Sequence, residues 1–394
     1  MASHEFSRCL RHERDDFRSA ALRGRVLLGE FGPEQDHKEV EAYANCDILS
    51  SQWVLQVPSG VGFLETREFQ EVAATYLGLP SPVCRHLQGQ PVMMSAKMAA
   101  RRGDPVVGLY GDELLNITLP GDGYRGKHNA IQNSLAACLK WAGRPVVTEV
   151  HNLLSHHFTP VARQRAGDLA SAASANYPAG GRRHYDRAKQ VVVPDFDLGS
   201  AEGARVVGLA ELKTLSCGHT TYPGAPLRRS LQEPKIYLAK VKPVEVRAKR
   251  INGEYVAKIV NVEGGSALQP GPALQHFNSL GGVKALVVGG YGEANVVLHT
   301  LISEIVKARC GIAMSSGVNA QSAGYAYVRG RVGMAALRAD ARHKVDATQW
   351  VGEGAYTAAA RRAQSIDEAN KARNEFEAMR MLQTGQRHVA VGGR

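Results

Sequence analysis

Residues 191–215 read VVVPDFDLGSAEGARVVGLAELKTL. Two apolar runs, VVVPDFDL and RVVGLAELKTL, flank a short polar turn, and each run reads as a buried β-strand. Each also ends in charge: Asp195 and Asp197 in the first, Glu211 and Lys213 in the second. Burying an unpaired carboxylate costs several kcal/mol, comparable to the net stability of a small domain. Strands that otherwise look like core therefore need a partner for this charge. Glu211 and Lys213 lie two residues apart and share a strand face with Val207 and Leu209, which makes a solvated edge a poor account of them. If the two strands pair, the carboxylates of Asp195 and Glu211 converge at one end of the sheet. Two acids and the Leu212 carbonyl make an oxygen-only donor set, suited to Mg²⁺ or Mn²⁺ rather than Zn²⁺. Each half alone has an ordinary explanation, since Pro-Asp is a common turn dipeptide and Glu-x-Lys a common cross-strand pair. Together, in order, on consecutive strands, they point to metal-assisted phosphoryl chemistry.

Working outward, KHNAIQNSLAACLKWAG predicts an amphipathic helix with Ile131, Leu135, Cys138 and Leu139 on one face and Gly143 closing it. RPVVTEVHNLL follows as a strand. EFQEVAATYLGL, further upstream, has helical spacing. VKALVVGGYGEANVVLHTLISEIVKARCG reads as strand, glycine turn and long helix, and its GGYGEAN lacks the Lys-Ser/Thr of a phosphate loop. LRRSLQEPKIYLAKVKPVEVRAKR predicts a basic helix interrupted by proline. Residues 84–122 read as irregular, and the stretches after Gly324 read as polar helices. The order from Lys127 onward implies a mixed sheet with helices packed on it.

The chain has 394 residues, 44% of them hydrophobic, enough for a substantial core. No apolar run has the length of a membrane span, and the first twenty residues lack the apolar centre of a secretory signal, so an intracellular protein is expected. Six scattered cysteines fit reduced, packed thiols. A net charge of +11 favours a polyanionic partner.

Pro194-Asp195 followed by Glu211-Leu212-Lys213 resembles the PD-(D/E)XK pattern of restriction-like nucleases. RGKHNAIQNSLAACLKWAGRPVVTEVHNLL and GLAELKTLSCGHTTYP are similar to the endonuclease region of site-specific non-LTR retrotransposon polyproteins, over roughly residues 51–340. The resemblance implies an α/β fold with a restriction-endonuclease-like αβββαβ core and a mixed sheet, with helical additions at both ends. It implies an N-terminal region at 1–122, the nuclease-like core at 123–310 and a C-terminal helical extension at 311–394. Asp195 and Glu211 are then metal ligands with the Leu212 carbonyl, and Lys213 is the catalytic lysine. Glu149 is a candidate additional acid. Asp197 replaces Asp195 if the register slips, and Asp168 ranks third. The implied cofactor is Mg²⁺ or Mn²⁺. Zinc is not expected, because Cys84 and His86 have no second ligand pair. The expected activity is hydrolysis of DNA phosphodiester bonds, with Arg228, Arg229, Lys235, Lys240, Arg182 and Arg183 as candidate backbone contacts. RNA is the other candidate partner, no membrane is expected, and a dimer is compatible with the pattern. A eukaryotic mobile element as source places the protein in the nucleus. The competing readings are a nucleic-acid-binding relic without turnover and an interaction module in which the pattern is fortuitous.

Overall fold

The computed structural model describes residues 38–55, 63–92, 106–117, 126–151, 153–165, 192–199, 204–218, 221–222, 228–229, 236–237, 242–264, 266, 268–312 and 318–352. The protein is mixed α/β. Its centre is a four-stranded sheet of β1 (Val147–Thr148), β2 (Phe196–Asp197), β3 (Leu209–Thr214) and β6 (Val283–Val288), in the order β1-β2-β3-β6. The first two pairings are antiparallel and β3 pairs with β6 in parallel, Glu211 opposite Ala285. A parallel pair needs a long crossover. Here it contains the helices α5 (Pro243–Glu263) and α6 (Pro272–Ser279).

Alternation along β3 and β6 divides the core. Ala210, Leu212, Leu286 and Val288 face a cluster built with α4 (Gly126–Trp141), α7 (Val296–Ile312) and α8 (Val318–Ala347). Leu209, Val283, Ala285 and Val287 face a second cluster with Ile251, Tyr255 and Ile259 of α5 and Phe277 of α6. Both faces of the parallel pair are thus covered, which is why β6, VKALVV, is apolar at every position but Lys284. Helix α4 forms as its pattern predicts: Ile131, Leu135, Cys138 and Leu139 are fully buried, and Gly143 takes the left-handed conformation (φ 70°) that ends it.

The N-terminal part packs onto this centre through α1 (Lys38–Asn45), α2 (Gln52–Leu55) and α3 (Thr66–Leu77), where Glu65 and Glu68 form a capping box. The described residues of 84–117 include the short 3₁₀ turns Arg85–Leu87 and Asp112–Asn116. Cys84, Val107 and Leu114 join Trp350 in a small cluster.

Three sequence expectations are corrected. The first apolar run forms only a two-residue strand, because Pro194 has no N–H to give a ladder and the Asp195 carboxylate takes the Leu212 N–H that a longer β2 would use. The basic stretch before Pro243 is not helical where it is described: Arg228–Arg229 (β4) and Ile236–Tyr237 (β5) pair antiparallel, and α5 begins with Pro243 in its first turn. The segment after Gly324 is helical but not peripheral, since Val328, Val332 and Ala336 of α8 are buried in the same cluster as α4. Arg182, Arg183, Lys235, Lys240, Asp168 and residues 353–394 lie outside the described residues. Among the described residues no helix is long and apolar enough to cross a membrane.

Candidate active site

Extending the β2–β3 register by one residue sets Asp195 opposite Glu211. The two residues share a sheet face there, and their backbones are close enough for the Asp195 N–H to reach Glu211 Oε2 at 3.3 Å. The next position sets Leu212 opposite Pro194. The Leu212 N–H donates to Asp195 Oδ2 at 2.7 Å, so the N–H and carbonyl of Leu212 both point toward the β2 side. Pro194 has no N–H to offer that carbonyl.

Glu211 lies at the edge of the α5 face of the core, its side chain 7% exposed. Its Oε1 accepts from the Lys213 ammonium, and its Oε2 accepts from the Tyr255 hydroxyl of α5. Burial, followed by the charge of Asp195, pushes the Glu211 carboxyl above the ordinary carboxylate range, against the pull of Lys213 and Tyr255. Tyr255 is raised too, by burial and then by Glu211, so its hydroxyl stays protonated and donates. The Lys213 side chain is 37% exposed, and it reaches from the acid pair toward solvent.

Helix α4 closes the other side. His128 and Gln132 are four residues apart and share one helix face. His128 Nε2 lies 3.1 Å from Asp195 Oδ2, and Gln132 Nε2 donates to the Asp195 backbone carbonyl at 3.2 Å. Burial favours a neutral His128 ring, but the hydrogen bond and charge of Asp195 outweigh it and hold the imidazole above its ordinary value.

The structure brings together Asp195, Glu211, Lys213 and the Leu212 backbone, which the sequence had singled out. Glu149 follows β1 with φ 54°, a left-handed conformation uncommon for a residue with a side chain. Its N–H donates to the Asp195 carbonyl at 3.0 Å, while its carboxylate lies 3.6 Å from His151 Nε2. Among the described residues no three His, Cys, Asp or Glu side chains are grouped for metal binding. The acid set is therefore the Asp195–Glu211 pair. Asp197 accepts the Gly199 N–H at 2.9 Å and so caps a turn. Arg228 and Arg229 lie in the β4–β5 ribbon. Three contributors went unassigned in the sequence. His128 stood inside the Lys-His-Asn stretch without a role, Gln132 looked like an ordinary helix residue, and Tyr255 lay in a basic helix with no motif around it.

The oxygens gathered here are of the hard donor type that a divalent cation such as Mg²⁺ takes. Two repelling carboxylates, one of them buried, sit beside the Leu212 carbonyl, to which Pro194 offers no N–H, and the candidate donor atoms are all oxygen. The chain matches no known family, no curated protein and no solved structure.

Proposed function

We propose that the protein is a Mg²⁺-dependent DNA endonuclease with a restriction-endonuclease-like core. The observation that carries this reading is the convergence of Asp195, Glu211 and Lys213 at the junction of an antiparallel and a parallel strand pair. With the β4–β5 ribbon and helix α6 set aside as insertions, the elements around it, helix α4, strands β1, β2 and β3, helix α5 and strand β6, follow the αβββαβ order that the resemblance implies.

Asp195, Glu211 and the Leu212 carbonyl would hold Mg²⁺ or Mn²⁺, which when bound polarises a phosphate oxygen and acidifies a water. The protein's own groups do the rest. His128, Gln132 and the Leu212 N–H fix Asp195, so its carboxylate needs little reorganisation during reaction. Lys213, partly exposed at the mouth, orients the attacking water and stabilises negative charge gathering on phosphorus. The water oxygen gives up a proton to solvent as it forms the new P–O bond in line with the departing ester oxygen, and that oxygen leaves as its P–O bond breaks and takes a proton from solvent. The formal charge of +11 supplies long-range attraction for the DNA backbone.

The deciding experiment is nicking of supercoiled plasmid with Mg²⁺ or Mn²⁺ by wild type, Glu211→Ala and Lys213→Ala. Cutting by wild type and a loss of roughly 10²-fold or more in each variant is the expected result. A second reading, a nucleic-acid-binding domain without turnover, draws on the fact that both Glu211 oxygens already accept hydrogen bonds from protein donors. Salt-sensitive DNA binding without cutting, unchanged in both variants, would favour it.

A further inference from the structure

The donors around Glu211 divide its two oxygens unequally. Oε2 is met from inside the protein, by the Tyr255 hydroxyl and by the Asp195 N–H at 3.3 Å. Among the described residues Oε1 is met only by Lys213, whose side chain is 37% exposed. Tyr255 is itself fixed: it is 4% exposed, it belongs to the α5 core cluster, and its ring stacks parallel to Phe277 with centroids 6.1 Å apart. The Val193 carbonyl, 3.4 Å from the same hydroxyl, is a weaker acceptor than the carboxylate. Tyr255 can therefore hold Oε2 without help from solvent, whereas the Lys213 ammonium is a mobile, hydratable cation on a flexible stem.

We infer that Tyr255 is a positioning residue for the cation: it turns Glu211 so that Oε1 alone is presented, at the place where the Lys213 ammonium now stands. The inference rests on the nuclease reading and adds two consequences to it. Glu211 binds the divalent cation through one oxygen, and the cation competes with Lys213 for that oxygen. Loading the site then frees the lysine from its acid and makes it available to the water or phosphate. Lys213 guards the site before it serves the reaction.

The test is titration of the full-length chain with Mn²⁺ in the absence of DNA, followed by electron paramagnetic resonance, with plasmid nicking measured alongside. Tyr255→Phe keeps the ring and its stacking on Phe277, so it reports on the hydroxyl. Its expected result is Mn²⁺ affinity about tenfold weaker, the scale of one hydrogen bond to a charged group. At saturating metal its kcat falls while the KM for DNA is unchanged. Lys213→Met removes the competing ammonium and is expected to bind Mn²⁺ more tightly than wild type while cutting nothing. Wild-type Mn²⁺ affinity and kcat in Tyr255→Phe, in a protein that binds metal and cuts DNA, overturn the inference and leave the nuclease reading standing. Weaker Mn²⁺ binding in Lys213→Met overturns the competition. A wild type that neither binds Mn²⁺ nor cuts overturns the nuclease reading and this inference with it.

Discussion

At Glu293, full burial pushes the carboxyl up to about 7, against the hydrogen bond from the Tyr222 hydroxyl at 2.7 Å. Its N–H-bound neighbour is the Tyr291 backbone, 3.0 Å from Oε2. An acid raised in the folded state binds its proton more tightly there than in the unfolded chain. Its contribution to stability is full below about pH 4.5, the ordinary value, and is lost as pH rises toward about 7. Urea unfolding at pH 5 and pH 8 is the check: the wild type is less stable at pH 8, and Glu293→Gln narrows that difference. Glu211 is shifted in the same direction by burial and by Asp195. Glu211→Gln therefore removes a repulsion and is expected to leave stability unchanged or raised and, if the nuclease reading holds, to abolish metal-dependent cutting. Under that reading, selection for function rather than stability accounts for the opposition.

At the scale of elements, two turns carry the strain. Glu149 holds φ 54° at the end of β1, a conformation that costs a residue with a side chain roughly 1 kcal/mol. Glu149→Gly is expected to raise stability by up to about that amount, read as a higher urea midpoint, because glycine enters this region freely. The strand-to-helix turn after β6 behaves in the opposite way. A Cβ on Gly290 would come within 2.6 Å of the Cys217 backbone nitrogen, so no side chain fits without movement. Gly290→Ala is expected to cost about 1–3 kcal/mol. The GGYGEAN turn is legible as a turn from its glycines alone, but the reason for Gly290 is a backbone from the segment after β3, which no local pattern reveals. The two-residue β2 is a similar case. Its apolar run is plain in the sequence, yet proline and a side-chain acceptor end the ladder.

Across the whole molecule, buried charge ties helices to the sheet ends. Lys127 of α4 donates to the Leu215 carbonyl at 3.1 Å, to the Gly289 carbonyl at 2.9 Å and to Asp340 of α8 at 2.5 Å. It thereby joins the C-terminal ends of β3 and β6 to two helices. Lys38 of α1 pairs with Asp112 at 2.6 Å, and the Tyr291 hydroxyl donates to Glu41, so the N-terminal part docks by the same means. Removing one partner of such a pair strands the other. Lys127→Met is expected to destabilise by about 3–5 kcal/mol, visible as a lowered urea midpoint, and Lys127→Met/Asp340→Leu to recover part of that loss. If the nuclease reading holds, DNA affinity falls with log salt at a slope of about −0.9 for each phosphate neutralised, and charge removal in the β4–β5 ribbon by Arg228→Ala/Arg229→Ala lowers that slope by up to about 2.

What the sequence determined by itself is local. The periodicity of α4, the helix after Thr66, the strand-turn-helix around Gly289 and the charged ends of β3 were all readable, because each rests on spacing within one element. The acid–lysine constellation was readable for the same reason: Glu211 and Lys213 share a strand face by parity, and Asp195 sits one turn away. Only the tertiary structure decided which side chains complete it. His128, Gln132 and Tyr255 come from two helices on opposite faces of the sheet; no pattern marks Gln132 or Tyr255, and the stretch around His128 assigns it no role. Tertiary packing also decided that α8 is core rather than appendage. A helix with small and charged residues spread around it carries little amphipathic signal. It is buried because α4 and α7 accept its Val328, Val332 and Ala336, with Gly324 close to Val306 of α7, a property of three helices together.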